Sequence, residues 1–428
     1  MQHPDPVWPA RAPAPTEPPR ALDGVRVLDL SRVLAGPYAT MVLADLGADV
    51  IKVERPAGGD DTRRWGPPFR GPDAAYFLSV NRGRRSVALD LTRRDHREVL
   101  DRLLATADVV VENFLPRHLE RFGLDPDAEL ARRPELVWTS IRGAGSDGPA
   151  GDEPGYDAMV QARSGLMSIT GPAGGPPTKV GVAVGDLFAG LHTAVAVLAA
   201  LRHRDRSGQG QRIEVPLLET TIALLANQAA NYLIGGQVPE PLGNHHPNIA
   251  PYGAYACAGG AVVIGAGNDA QFRRLCVALG RPELADDPRF ADNAARVGHA
   301  AALTRELEAV LATRPAAHWQ AALGAAGVPV APVNRLDQVF ADEHVRAVGL
   351  VAEVAHASGP LPLVRAPVAM SATPPALTLP PPLLGEHTEE VLAALGYDRA
   401  AIGRLLDSGP GGRPPSERGH PGGQRGTA

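Results

Sequence analysis

Apolar runs and amphipathic stretches alternate along the chain from about residue 24. "GVRVLDL" (24–30) is the kind of run a covered strand carries, and "GPYATMVLADLG" (36–47) is a helical stretch closed by Gly47. "ADVIKVE" (48–54) predicts a second strand. "RSVALDL" (85–91), "DVVVENF" (108–114) and "LVWTSIRG" (136–143) continue the series, with helical segments from Asp95 and Pro116 between them. Strands that are almost continuously apolar and separated by helices predict an α/β fold built on a doubly wound parallel, Rossmann-like sheet. A long helix is expected from Gly185 to His203, followed by the strand "QRIEVPLLET" (211–220) and a helix through Tyr232.

From about Gly235 to Asn334 the texture changes. A Pro/Gly/His-rich loop leads to the strand "AVVIGAG" (261–267) and then to Ala-rich helices, which reads as a smaller second domain. The expected organisation is a disordered tail at 1–20, a large Rossmann-like domain at 21–210 and a linker strand and helix at 211–235. The small domain follows at 236–335, the chain returns to the large domain at 336–406, and a second tail covers 407–428. Both tails are rich in Pro or Gly and lack apolar periodicity.

Composition narrows the class. The 428 residues are 44% hydrophobic and 21% charged, as in a globular protein, and exceed what one core usually supports. A net charge of −5 without a basic run gives no reason to expect nucleic acid or an anionic membrane surface as partner. Cys257 and Cys276 sit in no CxxC or Cys/His cluster, so neither a disulfide framework nor a metal site is expected. The apolar run from Thr193 is too short for a bilayer, and the expected setting is cytoplasmic.

Two candidates for chemistry stand out. Glu54 ends the second strand near where a ribose-binding acid belongs, but the first turn, "LSRVLAGPYAT", has no GxGxxG to approach a pyrophosphate, which argues against a nicotinamide enzyme. Asp157, in "DEPGYDAMVQARSGLMSITG" (152–171), stands where a Pro-Gly turn becomes a small-residue helix. It reads either as a helix N-cap or as a carboxylate nucleophile.

The motifs "LDLSRVLAGPYATMVLADLGADVIKVERPAGGDDTRRWGPPF", "SVNRGRRSVALDL", "DVVVENFLPRHLERFGLD" and "PGYDAMVQARSGLMSITGP" occur in that order. "GQGQRIEVPLLE", "VVIGAGNDAQFRRLC" and "PPPLLGEHTEEVLAALGYD" extend the series. Together they resemble the family III CoA-transferases, the formyl-CoA and carnitine CoA-transferase group, over residues 21–406. "DDTRRWGPPF", "AANYLIGG" and "VIGAGNDAQF" look most like the dicarboxylate-using, succinyl-CoA:glutarate-type members.

The resemblance implies that Asp157 is the nucleophile of a transferase that moves CoA from succinyl-CoA to an acid such as glutarate. The route would run through an aspartyl mixed anhydride and an aspartyl-CoA thioester. It implies a CoA thioester as substrate with no permanently bound cofactor, a free carboxylic acid as the other partner, and an interlocked homodimer. By the family pattern Arg32, Arg55, Arg84, Asn113, Arg121 and Arg142 contact CoA. His245, His246 and Tyr252 are the candidates for the acyl end, with no metal among them. The glycine loops "GAGSDG" (143–148), "CAGG" (257–260) and "GAGN" (265–268) could each cover Asp157 and offer N–H donors. Arg32 and Leu34 occupy the turn where formyl-CoA transferases carry His and Gln. An acyl-CoA racemase of the same fold is the alternative; there Tyr156 stands in place of the second, histidine, proton carrier.

Overall fold

Six strands lie parallel in one sheet: β1 (Arg26–Asp29), β2 (Asp49–Glu54), β3 (Arg84–Ala88), β4 (Val109–Glu112), β5 (Val137–Arg142) and β6 (Gln211–Pro216). Their order is β3–β2–β1–β4–β5–β6, with the chain reversing its direction of travel between β1 and β4. The computed structural model describes residues 7–10 and 19–407, and the expected tails fall mostly outside these. Within the first expected tail, Trp8 is instead buried, and its indole N–H donates to Asp49 at 3.0 Å. An aromatic of that size recovers more free energy by covering the sheet end than by staying in water.

The sheet is apolar on both faces, as its run-like strands require. Val27, Val50, Val109 and Val137 sit in register as one row, packed with the helix α1 (Ala35–Asp45) on one face. Leu28, Ile51, Val110 and Trp138 point to the other face, towards α3 (Arg94–Leu104); α2 (Ala75–Val80) and α4 (Pro116–Arg121) complete the connections used below. α1 ends because Gly47 takes a φ of 115°, open to glycine and costly for other residues.

After β5 come α5 (Asp157–Arg163) and the 24-residue α6 (Val184–Ser207). The long helix expected from Gly185 to His203 is found here, and its apolar stretch is longer than the run from Thr193 suggested. Among the described residues α6 is the one helix long and apolar enough to cross a membrane. Its Ala189, Ala194, Val197 and Leu201 are buried in the same apolar cluster as β4 and β5. Gly190 lets α6 close on α1, since a Cβ there would lie 2.7 Å from the Ala35 carbonyl oxygen.

The described chain divides into two compact units. The larger takes in residues up to Val160, then Ala183–Thr221 and everything from Gly349. The smaller is Gln161–Val182 with Ile222–Val348, so it includes a segment, 161–182, that the sequence pattern assigned to the sheet domain. Its three-stranded antiparallel sheet has β8 (Gly260–Gly265) between β7 (Tyr252–Cys257) and β9 (Val330–Pro332). Phe272, Leu275, Leu307, Trp319 and Leu323 form its core beneath the strands.

Candidate active site

Reversal of strand order between β1 and β4 leaves a crevice at the carboxyl ends of the strands, where open α/β sheets bind ligands. Two cavities occupy it. One, of about 410 Å³, is lined by Arg32, Lys52, Arg55, Asp60, His118 and Arg121 among others. The second, of about 250 Å³, shares Arg32, Phe114 and His118 with the first and runs on past Asn113, Arg142, Tyr156 and Asp186.

Asp157 opens α5 as its first residue and is half-buried, not in the N-cap position. Its carboxylate turns to a different helix. Oδ1 accepts hydrogen bonds from the backbone N–H of Gly185, at 2.8 Å, and of Asp186, at 3.4 Å. Both donors lie in the first turn of α6, where four N–H groups lack intrahelical partners and the helix dipole favours negative charge. A carboxylate held this way is fixed in direction, with Oδ1 on a positive helix end. Gly143 and Gly155 set the loop before it. A Cβ on Gly155 would lie 2.5 Å from the Gly143 Cα, so the two backbones touch only because both residues are glycine.

Asp186 was not foreseen. It stands beside Asp157 at 9% exposure, and burial, followed by the Asp157 charge, pushes its carboxyl from 3.8 up to about 7. Tyr76 on α2 belongs to the same group. Burial, then Asp186 and Asp157, raise its phenol to about 12.

Several expected CoA contacts gather here. Arg32 pairs with Asp61 at 3.4 Å, Arg64 reaches the same carboxylate at 3.1 Å, and Arg55 pairs with it closely. Three guanidiniums around one carboxylate leave a net positive charge at the rim of the larger cavity, to which Arg121 adds, while burial and the neighbouring arginines lower the His118 pKa and keep that ring neutral. The Asn113 side chain ties the backbone of Arg32, accepting from its N–H at 2.9 Å and donating to its carbonyl at 2.8 Å. Arg142 lines the smaller cavity but is committed to the Phe114 carbonyl and to Glu112 at 3.5 Å.

Arg84 corrects the sequence expectation. It is fully buried, donating to Asp29 at 2.7 Å and to the carbonyls of Pro37 and Val80, and lines neither cavity. Buried charge needs partners, and those of Arg84 are the end of β1, the start of α1 and the end of α2, with Nε left without one. It braces the turn from within the core.

The glycine loop at 143–148 also differs from its expected role. Its Gly145 and Ser146 N–H groups already donate to Glu219 and Glu214, at 2.9 and 2.7 Å. In the smaller unit, "GAGN" ends in Asn268, which caps the next helix by accepting from the Gln271 N–H. His245, His246 and Tyr252 do come together there. The His246 N–H donates to the Tyr252 carbonyl at 2.9 Å, and the His245 ring packs edge-on against Tyr255. Among the described residues no group of His, Cys, Asp or Glu is gathered as metal ligands would be.

Sequence reading also missed Lys52 and Asp60. Lys52 is buried, pairs with Asp60 at 3.2 Å and donates to the Ser31 carbonyl at 2.7 Å. Asp60 in turn holds the N–H of Val33, a β-branched residue at a φ of 72°. Such a conformation persists only where its surroundings impose it.

These features define an α/β protein with a charged crevice at the sheet's switch point, and the chain belongs to CoA-transferase family III, whose model matches residues 22–388. It is a CoA-transferase, with the CoA thioester as a substrate. The succinate–glutarate CoA-transferase of Agrobacterium fabrum is 47% identical over 386 residues, 87% of this chain and 95% of that one. The succinyl-CoA:glutarate CoA-transferase of Mus musculus is 43% identical over 405 residues, 94% and 93% of the two chains. A solved CAIB/BAIF family protein from Brucella suis superposes with a TM-score of 0.78 at 43% identity, covering 88% of this chain and 99% of its own.

Proposed function

We propose that the chain transfers CoA from succinyl-CoA, or a similar short dicarboxyl-CoA, to a free acid such as glutarate, with Asp157 as the covalent carrier. The observation that carries the reading is the Asp157 carboxylate fixed on the α6 N-terminus beside a cationic crevice. The names of the similar proteins supply the donor and acceptor.

In this reading an Asp157 oxygen attacks the thioester carbonyl, the C–S bond breaks, and CoA leaves as thiolate. The thiolate then attacks Cγ of the resulting mixed anhydride. The donor acid departs as carboxylate and an aspartyl-CoA thioester remains. The acceptor carboxylate attacks that thioester and the two steps run in reverse, freeing Asp157. At each tetrahedral stage on Cγ the negative charge falls on an oxygen that the Gly185 and Asp186 N–H groups are already aimed at. The paired arginines at the crevice rim suit the CoA phosphates, and His245, His246 and Tyr252 are assigned to the acyl end. A cytoplasmic homodimer is the setting this reading carries.

The test is chemical trapping. Incubation with succinyl-CoA and hydroxylamine should convert Asp157, and no other residue, to the hydroxamate, read by peptide mass spectrometry. Asp157→Ala should give no adduct and lose nearly all turnover while still binding CoA. An Asp157→Ala variant with full activity would end the proposal. Comparing succinyl-CoA with butyryl-CoA tests the substrate. An unpaired buried donor costs about 1–3 kcal/mol, so the dicarboxyl-CoA should lead by roughly one to two decades in kcat/KM. Equal values would remove the dicarboxylate and leave the transferase.

A further inference from the structure

Asp186 is a carboxyl group that the covalent route does not use. Its backbone belongs to the donor pair on Asp157, while its side chain lies along the smaller cavity. The ordinary explanation for an acid in the first turn of a helix is a hydrogen bond back to the helix start. That bond is missing: no side chain caps α6, and among the described residues no hydrogen bond to the Asp186 carboxyl oxygens is found. A carboxyl buried to 9% exposure without a donor is poorly placed as a permanent charge.

The groups around it are few. Asp157 faces it from α5 and Tyr76 from α2, both able to add negative charge or none. α1 brings only Tyr38, a turn further along α6 at Gly190. Of the charged residues lining the same cavity, Arg142 is engaged with Glu112 and the Phe114 carbonyl, and Arg32 with Asp61. His118 and Glu153 line it as well. Among the described residues no cation is paired with Asp186.

We propose that Asp186 sets the charge of the cavity it lines beside Asp157 and contacts the free acid there. Its protonated carboxyl admits the carboxylate of the free acid and can donate a hydrogen bond to it, and its ionised form repels that carboxylate. The proposal rests on Asp157 being the acyl carrier. Each reaction cycle brings an anion, the acceptor acid, up to an aspartyl ester with a thiolate as leaving group. A second fixed negative charge at that spot raises the energy of the encounter, while a neutral O–H lowers it. Burial and the Asp157 charge hold the carboxyl protonated up to about pH 7, so the pocket's charge changes near neutrality.

The measurement is kcat and KM for the free acid between pH 5.5 and 9, with acyl-CoA saturating. Above about pH 6.5 simple carboxylic acids are almost wholly ionised, so a titration above that value belongs to the enzyme. In the wild type, kcat/KM for the acid should fall above about pH 7, by about tenfold or more at pH 8.5, with the loss lying in KM. In Asp186→Asn the fall should disappear, and in Asp186→Glu it should persist. A wild-type profile without the fall, or an Asp186→Asn profile that keeps it, would overturn the proposal. The wild-type arm decides even if the variants fold poorly. Hydroxylamine trapping at Asp157 runs in parallel: a trapped adduct with a flat wild-type profile ends this inference alone, whereas no adduct ends the reading beneath it.

Discussion

Gly185 is the residue on which the geometry of Asp157 turns most directly. Its N–H is the closer of the two donors, and a Cβ built on it would lie 3.1 Å from Oδ1 of Asp157 and 2.9 Å from the hydroxyl of Thr221. An alanine fits the helical backbone but must push one of those groups aside. Gly185→Ala should therefore lower kcat by about 10²-fold, the order expected when a reacting group is displaced by part of an ångström. KM for acyl-CoA, which the proposed reading assigns to the arginines, should change little. A kcat within threefold of wild type would show that the carboxylate does not need this contact. The residue scale also shows what sequence could and could not reveal. Asp157 could be singled out as a candidate because it stands at a turn-to-helix junction in a recognisable motif. Its true partner was not, because the α6 N-terminus lies 28 residues further on and only folding brings the two together. Asp186 was hidden for a plainer reason, since an acid in the first turn of a helix is ordinary. The one available signal was a Gly-Asp pair opening a helix otherwise apolar to His192.

At the scale of elements, the turn between β1 and α1 is held in shape from outside. Val33 keeps a left-handed φ because Asp60 binds its N–H, and Asp60 stays charged because burial, which opposes the charge, is outweighed by Lys52 and the Thr62 hydrogen bonds. Removing one partner of a buried pair strands the other, at about 3–5 kcal/mol. Asp60→Ala should cost about that much and also release the Val33 turn. KM for acyl-CoA should then rise more than kcat falls, since Arg32 sits in that turn and lines both cavities. Unchanged stability by urea titration would contradict the pairing. The strands flanking this turn were readable from their apolar runs alone. The pairing was not, because Lys52 lies in a strand, where a lysine reads as a solvated edge, and Asp60 lies in the loop beyond it. Arg84 failed in the opposite direction. A family motif put it at the ligand, and its three partners put it inside the core.

For the molecule as a whole, Asp186 makes stability depend on pH in a direction opposite to that of Asp60, Glu54 and Asp108. Asp60, Glu54 and Asp108 have carboxyls lowered by their cations, so they add stability that is present at neutral pH and lost as acid protonates them. Asp186 is raised from 3.8 to about 7. Below pH 4 it is protonated in both folded and unfolded chains and contributes nothing. Between 4 and 7 the folded state binds a proton that the unfolded state does not, so stability falls as pH rises, and above 7 the loss is complete. From pH 5 to pH 8 the titrating span is about two units, which corresponds to about 3 kcal/mol at 1.36 kcal/mol per unit. Asn cannot ionise, so Asp186→Asn should lack this loss while keeping every other titration. The stability difference between variant and wild type should therefore grow in favour of the variant by up to about 3 kcal/mol from pH 5 to pH 8, followed by urea denaturation at both values. Because the other acids cancel in that difference, a gap that does not change with pH would mean that Asp186 is ionised in the folded protein throughout, and the neutral pocket would fall with it.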